Sequence, residues 1–171
     1  MNIRNATQAD IQGVLKIYET ARSYMKDTGN PHQWADFYPP TDLVMRDLEG
    51  GNLFVMEDGA ELCGVFAFFP EGDAIYDTIN GEWLNSLPHA AIHRVASAGT
   101  RKGILAACVE YCLTRANNLK IDTYKDNAVM QHQLKKCGFV PCGTVCVPSL
   151  GEFIAFQLYR GDAGDALGEL S

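Results

Sequence analysis

Two apolar runs, Leu53 to Met56 and Leu62 to Phe69, flank the dipeptide Asp58-Gly59. An Asp-Gly pair tolerates the positive φ angles of a tight hairpin turn, so the runs are predicted to be neighbouring antiparallel strands. Neither run alternates apolar and polar residues, as a strand with one wet face would. Near-continuous hydrophobicity implies strands covered on both faces. Such a pair cannot stand alone. It needs further strands beside it and helices above and below.

The rest of the chain supplies both. Ile3 opens a short first strand, and Thr7-x-x-Asp10 reads as a helix start, a hydroxyl cap with an acid in the first turn. Ile11, Val14, Leu15, Tyr18 and Met25 continue at helical spacing to about Lys26, where Gly29-Asn30-Pro31 stops the helix. A loop from Pro31 to Pro40 carries His32, Trp34, Phe37 and Tyr38, and a second helix runs from about Thr41 to Glu49. After Pro70 comes an irregular segment with Tyr76, Asp77, Glu82 and Trp83. His89 to Ser97 reads as a strand, followed by a Gly turn and a helix with Leu105, Cys108, Val109, Cys112 and Ala116 on one face. Leu119 to Tyr124 is another strand. Asn127 caps a helix with Met130, Leu134 and Cys137 inward, ending at Gly138. Phe139 to Val147 and Phe153 to Tyr159 close the sheet. The order β-α-α-β-β-β-α-β-α-β-β is an α/β domain with a mixed sheet rather than a regular doubly wound one. The domain is expected over residues 1–160, with a flexible tail over 161–171.

Composition narrows the function classes. The 171 residues carry 21 acids against 14 Lys and Arg, a net charge of −7, with 47% apolar and 20% charged residues. These values fit a globular chain and exclude a disordered or coiled-coil one. The acidic balance argues against a nucleic-acid partner, which needs a basic surface. No window reaches the ~18 apolar residues of a membrane span, and the polar start resembles no secretory signal. A cytoplasmic location is expected. The six cysteines, Cys63, Cys108, Cys112, Cys137, Cys142 and Cys146, are then expected as buried free thiols. A metal site at Cys108 and Cys112 is the alternative, but no CxxC pair or nearby His pair completes it, so no metal is expected.

The chemically informative stretch is strand, short Gly loop and helix: Ile92 to Ser97, Ala98 to Gly103, then Ile104 onward. A helix N-terminus offers unpaired N–H groups and partial positive charge, which suits phosphate. Gly103 lets the backbone approach, and Arg101 and Lys102 add charge. Between Trp83 and Val109 there is no Asp or Glu, while Arg94, Arg101 and Lys102 fall inside that window. The loop is neither a Walker loop nor a dinucleotide fingerprint. The competing reading is a solvated connection.

The element order, together with Lys120-Ile-Asp-Thr-Tyr124, Asn127-x-x-Met130 and Lys136-Cys-Gly-Phe139, resembles the GNAT superfamily of acyl-CoA-dependent N-acetyltransferases over roughly residues 1 to 160. The phrases His93-Arg-Val-Ala96, Ile121-Asp-Thr123 and Gly151-Glu-Phe-Ile-Ala-Phe-Gln157 resemble an uncharacterised bacterial subgroup. The resemblance implies a mixed, mostly antiparallel central sheet flanked by helices, with a splayed strand pair at the cofactor site. It implies acetyl-CoA as co-substrate and a small-molecule amine as acceptor, and a homodimer is common in such proteins. The pantetheine arm would pair with Val95, Ala96 and Ser97. The pyrophosphate would lie on Arg101, Lys102, Gly103, Ile104 and Leu105, and Asn127 would frame the acyl pocket. Two positions depart from the family's pattern. Leu105 stands where a small residue is usual, narrowing the phosphate loop, and Leu134 stands where a tyrosine protonates the leaving thiolate.

Proton-transfer candidates follow from this frame. His93 is one candidate base, since imidazole titrates nearest neutrality; its competing reading is a structural network beside Arg94. Asp77 and Glu82 could bind or deprotonate a cationic amine, or simply be solvated. Tyr124 and Tyr111 are the candidate acids in place of Leu134. Trp34, Phe37, Tyr38, Tyr76 and Trp83 either line an acceptor site or pack under loops. The expected activity is acetyl transfer by direct attack. The alternative is a catalytically weak domain that binds or senses CoA.

Overall fold

The Asp58-Gly59 hairpin lies inside an eight-stranded sheet. A computed structural model describes residues 1–161 of the chain. Strand β1 (Asn2–Asn5) leads through a short 3-10 turn to helix α1 (Ile11–Asp27) and then helix α2 (Thr41–Glu49). Strands β2 (Leu53–Asp58) and β3 (Glu61–Phe69) form the hairpin, with Gly59 at φ 64° in its turn. A 3-10 turn and a two-residue strand β4 (Asn80–Gly81) precede β5 (Ala90–Ser97). Helix α3 (Ile104–Leu113), strand β6 (Asn118–Thr123), helix α4 (Ala128–Lys136) and strands β7 (Val140–Val147) and β8 (Gly151–Tyr159) complete the order. Strand order across the sheet is β1-β2-β3-β5-β6-β8-β7-β4, antiparallel except for β5 and β6.

Both faces of the central strands are covered, as their composition requires. Phe54, Met56, Phe66 and Phe68 turn toward α3 and α4, packing with Cys108, Val109 and Leu134. Leu53, Val55 and Val65 turn toward α1 and α2 with Val14, Tyr18 and Val44. On that second face, nearer β8, the segment between β3 and β5 lays Tyr76 over Ala91, Phe153 and Ala155. Each fully buried large side chain contributes about 1.5–3 kcal/mol. The sheet therefore holds two helical layers and one loop layer.

Strand β4 is invisible in the sequence because glycine proximity, rather than side-chain pattern, makes it. A Cβ on Gly81 or Gly143 would lie 2.2 Å from a backbone carbonyl of the other strand. Only two glycines permit that approach.

Strand β5 contains a bulge. Val65 pairs with Ala96 and Ala67 with His93, so three steps on β5 oppose two on β3. Arg94, at φ 53°, absorbs the extra residue, and the Tyr18 hydroxyl donates to its carbonyl at 3.1 Å.

Among the described residues no helix is long and apolar enough to cross a membrane. The tail expected over 161–171 lies outside the described residues except for Gly161. The expectation of six buried thiols is corrected. Cys63, Cys108 and Cys112 are buried, Cys137 and Cys142 half-buried, and Cys146 exposed. Cys146 lies on β7, whose outer neighbour β4 spans only two residues. Cys108 lies in the apolar core, where burial pushes its thiol well above the ordinary value.

Candidate active site

Strands β5 and β6 pair only through Ala90–Leu119 and Ala91–Lys120. Beyond that point β6 stays bonded to β8 and β5 to β3, so the two parallel strands diverge. The wedge leaves the β5 backbone from Ile92 onward unpaired on one side, ready for an extended ligand.

A groove of about 480 Å³ runs along this edge. Its walls come from α1 (Ala21, Tyr24, Met25), β5 (Val95, Ala96, Ser97) and α4 (Val129, Met130). Its far end is the loop from Gly99 to Gly103 and the start of α3. Gly103 caps α3 at φ 79°, with open space where a Cβ would be. The first intrahelical bond runs from the Ala107 N–H to the Gly103 carbonyl at 3.0 Å. The first-turn N–H groups before it have no intrahelical acceptor.

The predicted cofactor residues Val95, Ala96, Ser97, Arg101, Lys102, Gly103, Ile104, Leu105 and Asn127 all line this groove. The narrowing expected at Leu105 does not arise as foreseen. Its side chain is 4% exposed and packed in the core beneath the helix, leaving the loop chiefly backbone. The acid-free window is not acid-free in space. Asp47 pairs with Arg94 and Asp58 with Arg101, so among the described residues Lys102 alone of the three basic residues has no ion pair.

The groove opens into a chamber of about 80 Å³, with Met25, Val95, Asn127 and Met130 lining both. Asn127 caps α4, accepting from the Met130 N–H at 3.0 Å, and donates to Gln33 at 2.8 Å. Buried Gln33 also accepts from Asn30 and Thr123, which ties the loop before α2 to the end of β6.

His93 points into the chamber with its side chain 10% exposed. Tyr76 stacks on its ring at 5.7 Å and Phe69 meets it edge-on at 5.6 Å. Its Nε2 lies 2.8 Å from Asp73, and its Nδ1 lies 4.0 Å from Asp122. The bond with His93 holds the Asp73 carboxyl below the usual carboxylate range. An ionised Asp73 only accepts, so Nε2 carries a proton, and in the neutral ring the lone pair is then on Nδ1.

Asp122 differs. Burial raises its carboxyl above the ordinary value, opposed by His93 and by the Tyr76 hydroxyl, which donates at 2.7 Å. Arg94 also lines the chamber but is committed. Its Nε and an Nη each donate to Asp47 at 2.8 Å, and the other Nη donates to the Tyr38 hydroxyl at 3.2 Å.

The remaining sequence candidates scatter. Asp77 and Glu82 are exposed and line a separate depression with Trp83, His89 and Lys120, away from His93. Lys120 lies over the Trp83 ring at 3.9 Å, and burial lowers its ammonium pKa. Tyr124 packs edge-on against Phe153, whose ring lines the chamber. Tyr111 is held between Phe54 and Phe66, and Leu134 is fully buried in the core. Trp34 and Tyr38 line the chamber, whereas Phe37 is exposed beside a surface cleft.

Asp73, Tyr76 and Asp122 had no role as a group in the sequence reading. For Asp122 a signal existed: an acid between Ile121 and Thr123 in a short apolar strand is out of place unless paired. For Asp73 none existed.

A mostly antiparallel sheet, helices on both faces and one splayed parallel pair ending at a helix N-terminus define the fold of the GNAT acetyltransferases. The solved structures agree. A GNAT-family acetyltransferase from Streptococcus agalactiae superposes with a TM-score of 0.84 at 28% identity, covering 94% of this chain and 96% of that one. Ribosomal-protein-alanine N-acetyltransferase from Brucella melitensis gives 0.62 at 19% identity, covering 94% and 100%. A Salmonella typhimurium protein solved with its cofactor acetyl-CoA gives 0.64 at 15%, covering 94% of each. No protein-family model and no curated protein matches the chain. The chain therefore has the GNAT acetyltransferase fold.

Proposed function

We propose that this protein is an acetyl-CoA-dependent N-acetyltransferase acting on a primary amine of a small molecule. The observation that carries the reading is the continuity of the two spaces: a groove with unpaired strand backbone and a helix N-terminus leads directly to a carboxylate-held imidazole. The residues fit the co-substrate. Extended backbone at Val95 to Ser97 suits a pantetheine amide chain, and the α3 N-terminus with Lys102 suits its pyrophosphate.

In this reading His93 Nδ1 accepts a proton from the substrate ammonium, and Asp73 fixes the ring's tautomer. The free amine attacks the thioester carbonyl and a C–N bond forms; as the C–S bond breaks the nitrogen gives up its second proton and the thiolate takes one up, leaving an amide and a thiol. The Val95 N–H, at the bulge, polarises the carbonyl. No covalent enzyme intermediate is needed. Tyr124 is the remaining phenol candidate for protonating the thiolate; Tyr111 packs on Phe54 and Phe66 and lines neither the groove nor the chamber.

The test is calorimetric binding of acetyl-CoA followed by thiol release across a panel of amines. Absence of binding at millimolar cofactor would overturn the reading. Buried Leu134, at the position of the family's proton donor, favours a second reading, a domain that binds CoA without turnover. Thermal protection by acetyl-CoA with no thiol release from any amine would select it.

A further inference from the structure

The chamber's own chemistry narrows the acceptor. Resting on the acetyltransferase reading, we propose that the acceptor presents a terminal, unbranched aminoalkyl group, –CH2–NH3⁺, with no carboxylate on the carbon bearing nitrogen.

Charge is the first argument. The one guanidinium that lines the chamber is bound through two of its nitrogens to Asp47, with both side chains under a tenth exposed. No lysine lines this space, and Lys102 stands at the far end of the groove. Of the nearby carboxylates only Asp122 lines the chamber; Asp47 is matched by Arg94, and Asp73 is bonded to His93 Nε2. Asp122 lines the chamber and accepts from Tyr76 through Oδ2, while its Oδ1 has no hydrogen bond among the described residues. An ammonium finds an acceptor there. A carboxylate on the carbon bearing nitrogen would face Asp122 with no free guanidinium or lysine ammonium to receive it.

Size is the second argument. At about 80 Å³ the chamber is much smaller than the groove of about 480 Å³, and the thioester's acetyl end must share it. A narrow space of this kind favours an unbranched nitrogen-bearing methylene over a carbon that also carries a carboxylate and a side chain. Trp34, Leu150 and Phe153 give those methylenes apolar walls. A free α-amino acid, whose amine adjoins both a carboxylate and a branch, fails on both counts.

The test uses the purified full chain with acetyl-CoA and follows thiol release with 2-phenylethylamine, phenylalanine and 1-phenylpropan-2-amine. The first two differ only by the carboxylate, and the third is branched but carries none. The expected result is a kcat/KM for 2-phenylethylamine about 10- to 100-fold above that for phenylalanine, with 1-phenylpropan-2-amine between them. Asp122→Asn should reduce the 2-phenylethylamine to phenylalanine ratio several-fold. That ratio is internal to each protein and does not depend on how much of a variant folds. Phenylalanine turned over as well as or better than 2-phenylethylamine would overturn the substrate class while leaving the acetyltransferase reading intact. Binding of acetyl-CoA without turnover of any amine would overturn both.

Discussion

The groove and the chamber adjoin, yet they are built on different terms. The groove is made of backbone and apolar side chains: an unpaired strand edge, a glycine-capped helix start and two helix faces. The chamber depends on ionisable side chains brought from separate segments: His93 and Arg94 from β5 and Asp122 from β6 line it, and Asp47 from α2 and Asp73 from the crossing loop hold them. A surface of the first kind tolerates changes of side chain, because main-chain groups do the binding. One of the second kind depends on every partner, since each buried charge is matched by another.

His93→Ala should separate the two most sharply. The expected loss in kcat is about 10²- to 10⁴-fold, with acetyl-CoA affinity by calorimetry nearly unchanged. A parallel loss of cofactor affinity would mean that groove and chamber are one unit. Asp47→Ala strands a buried guanidinium and should cost about 3–5 kcal/mol in urea unfolding. A cost below about 1 kcal/mol would show that Arg94 finds another partner. On the groove side, Gly103→Val forces a β-branched residue to positive φ, a strain of roughly 1–3 kcal/mol, and weakens acetyl-CoA binding in titrations.

The two chamber acids should respond to pH with opposite signs. Asp73 is held low by His93, so its stabilisation is present above the unfolded value near ~3.9 and is lost as pH falls through the folded value. Asp73→Asn should therefore flatten the acid limb of melting temperature against pH. Burial raises Asp122, so its ionisation costs stability as pH climbs from ~3.9 through the folded value. Asp122→Asn should then melt no lower than the parent at neutral pH, and a lower melting point would count against a burial penalty there. The smallest effect belongs to Lys102→Ala. It should weaken acetyl-CoA binding by about two- to fivefold, and the difference should shrink with added salt.

The same division explains what the sequence revealed. The hairpin, helix α2 and the Asn127 cap were legible because turn chemistry, periodicity and capping act over a few residues. So was the glycine loop at the far end of the groove, since Gly103 and the following helix adjoin in sequence. Asp73 was not legible, because its meaning depends on a ring twenty residues away. Asp77 and Glu82 drew attention in the same irregular segment, yet the path of that segment carries them to another depression. The missing acids between Trp83 and Val109 were a true pattern with an incomplete meaning, since Asp47 and Asp58 return from earlier strands and helices to two of the basic residues.

The bulge at Arg94 has a consequence for how this chain can vary in length. Ile92 and Val95 both face the α3 and α4 layer, while His93 and Ala96 both face the other. Three-residue spacing on a common face is foreign to a regular strand, where parity alternates. One extra residue therefore resets the parity between the part of β5 that carries the imidazole and the part that borders the groove. Deleting a single residue there would turn one of the two parts over, placing His93 in the apolar core or Val95 on the wrong side of the sheet. Substitutions near the bulge are graded in effect, but a one-residue deletion is not, because there is no half-turned strand.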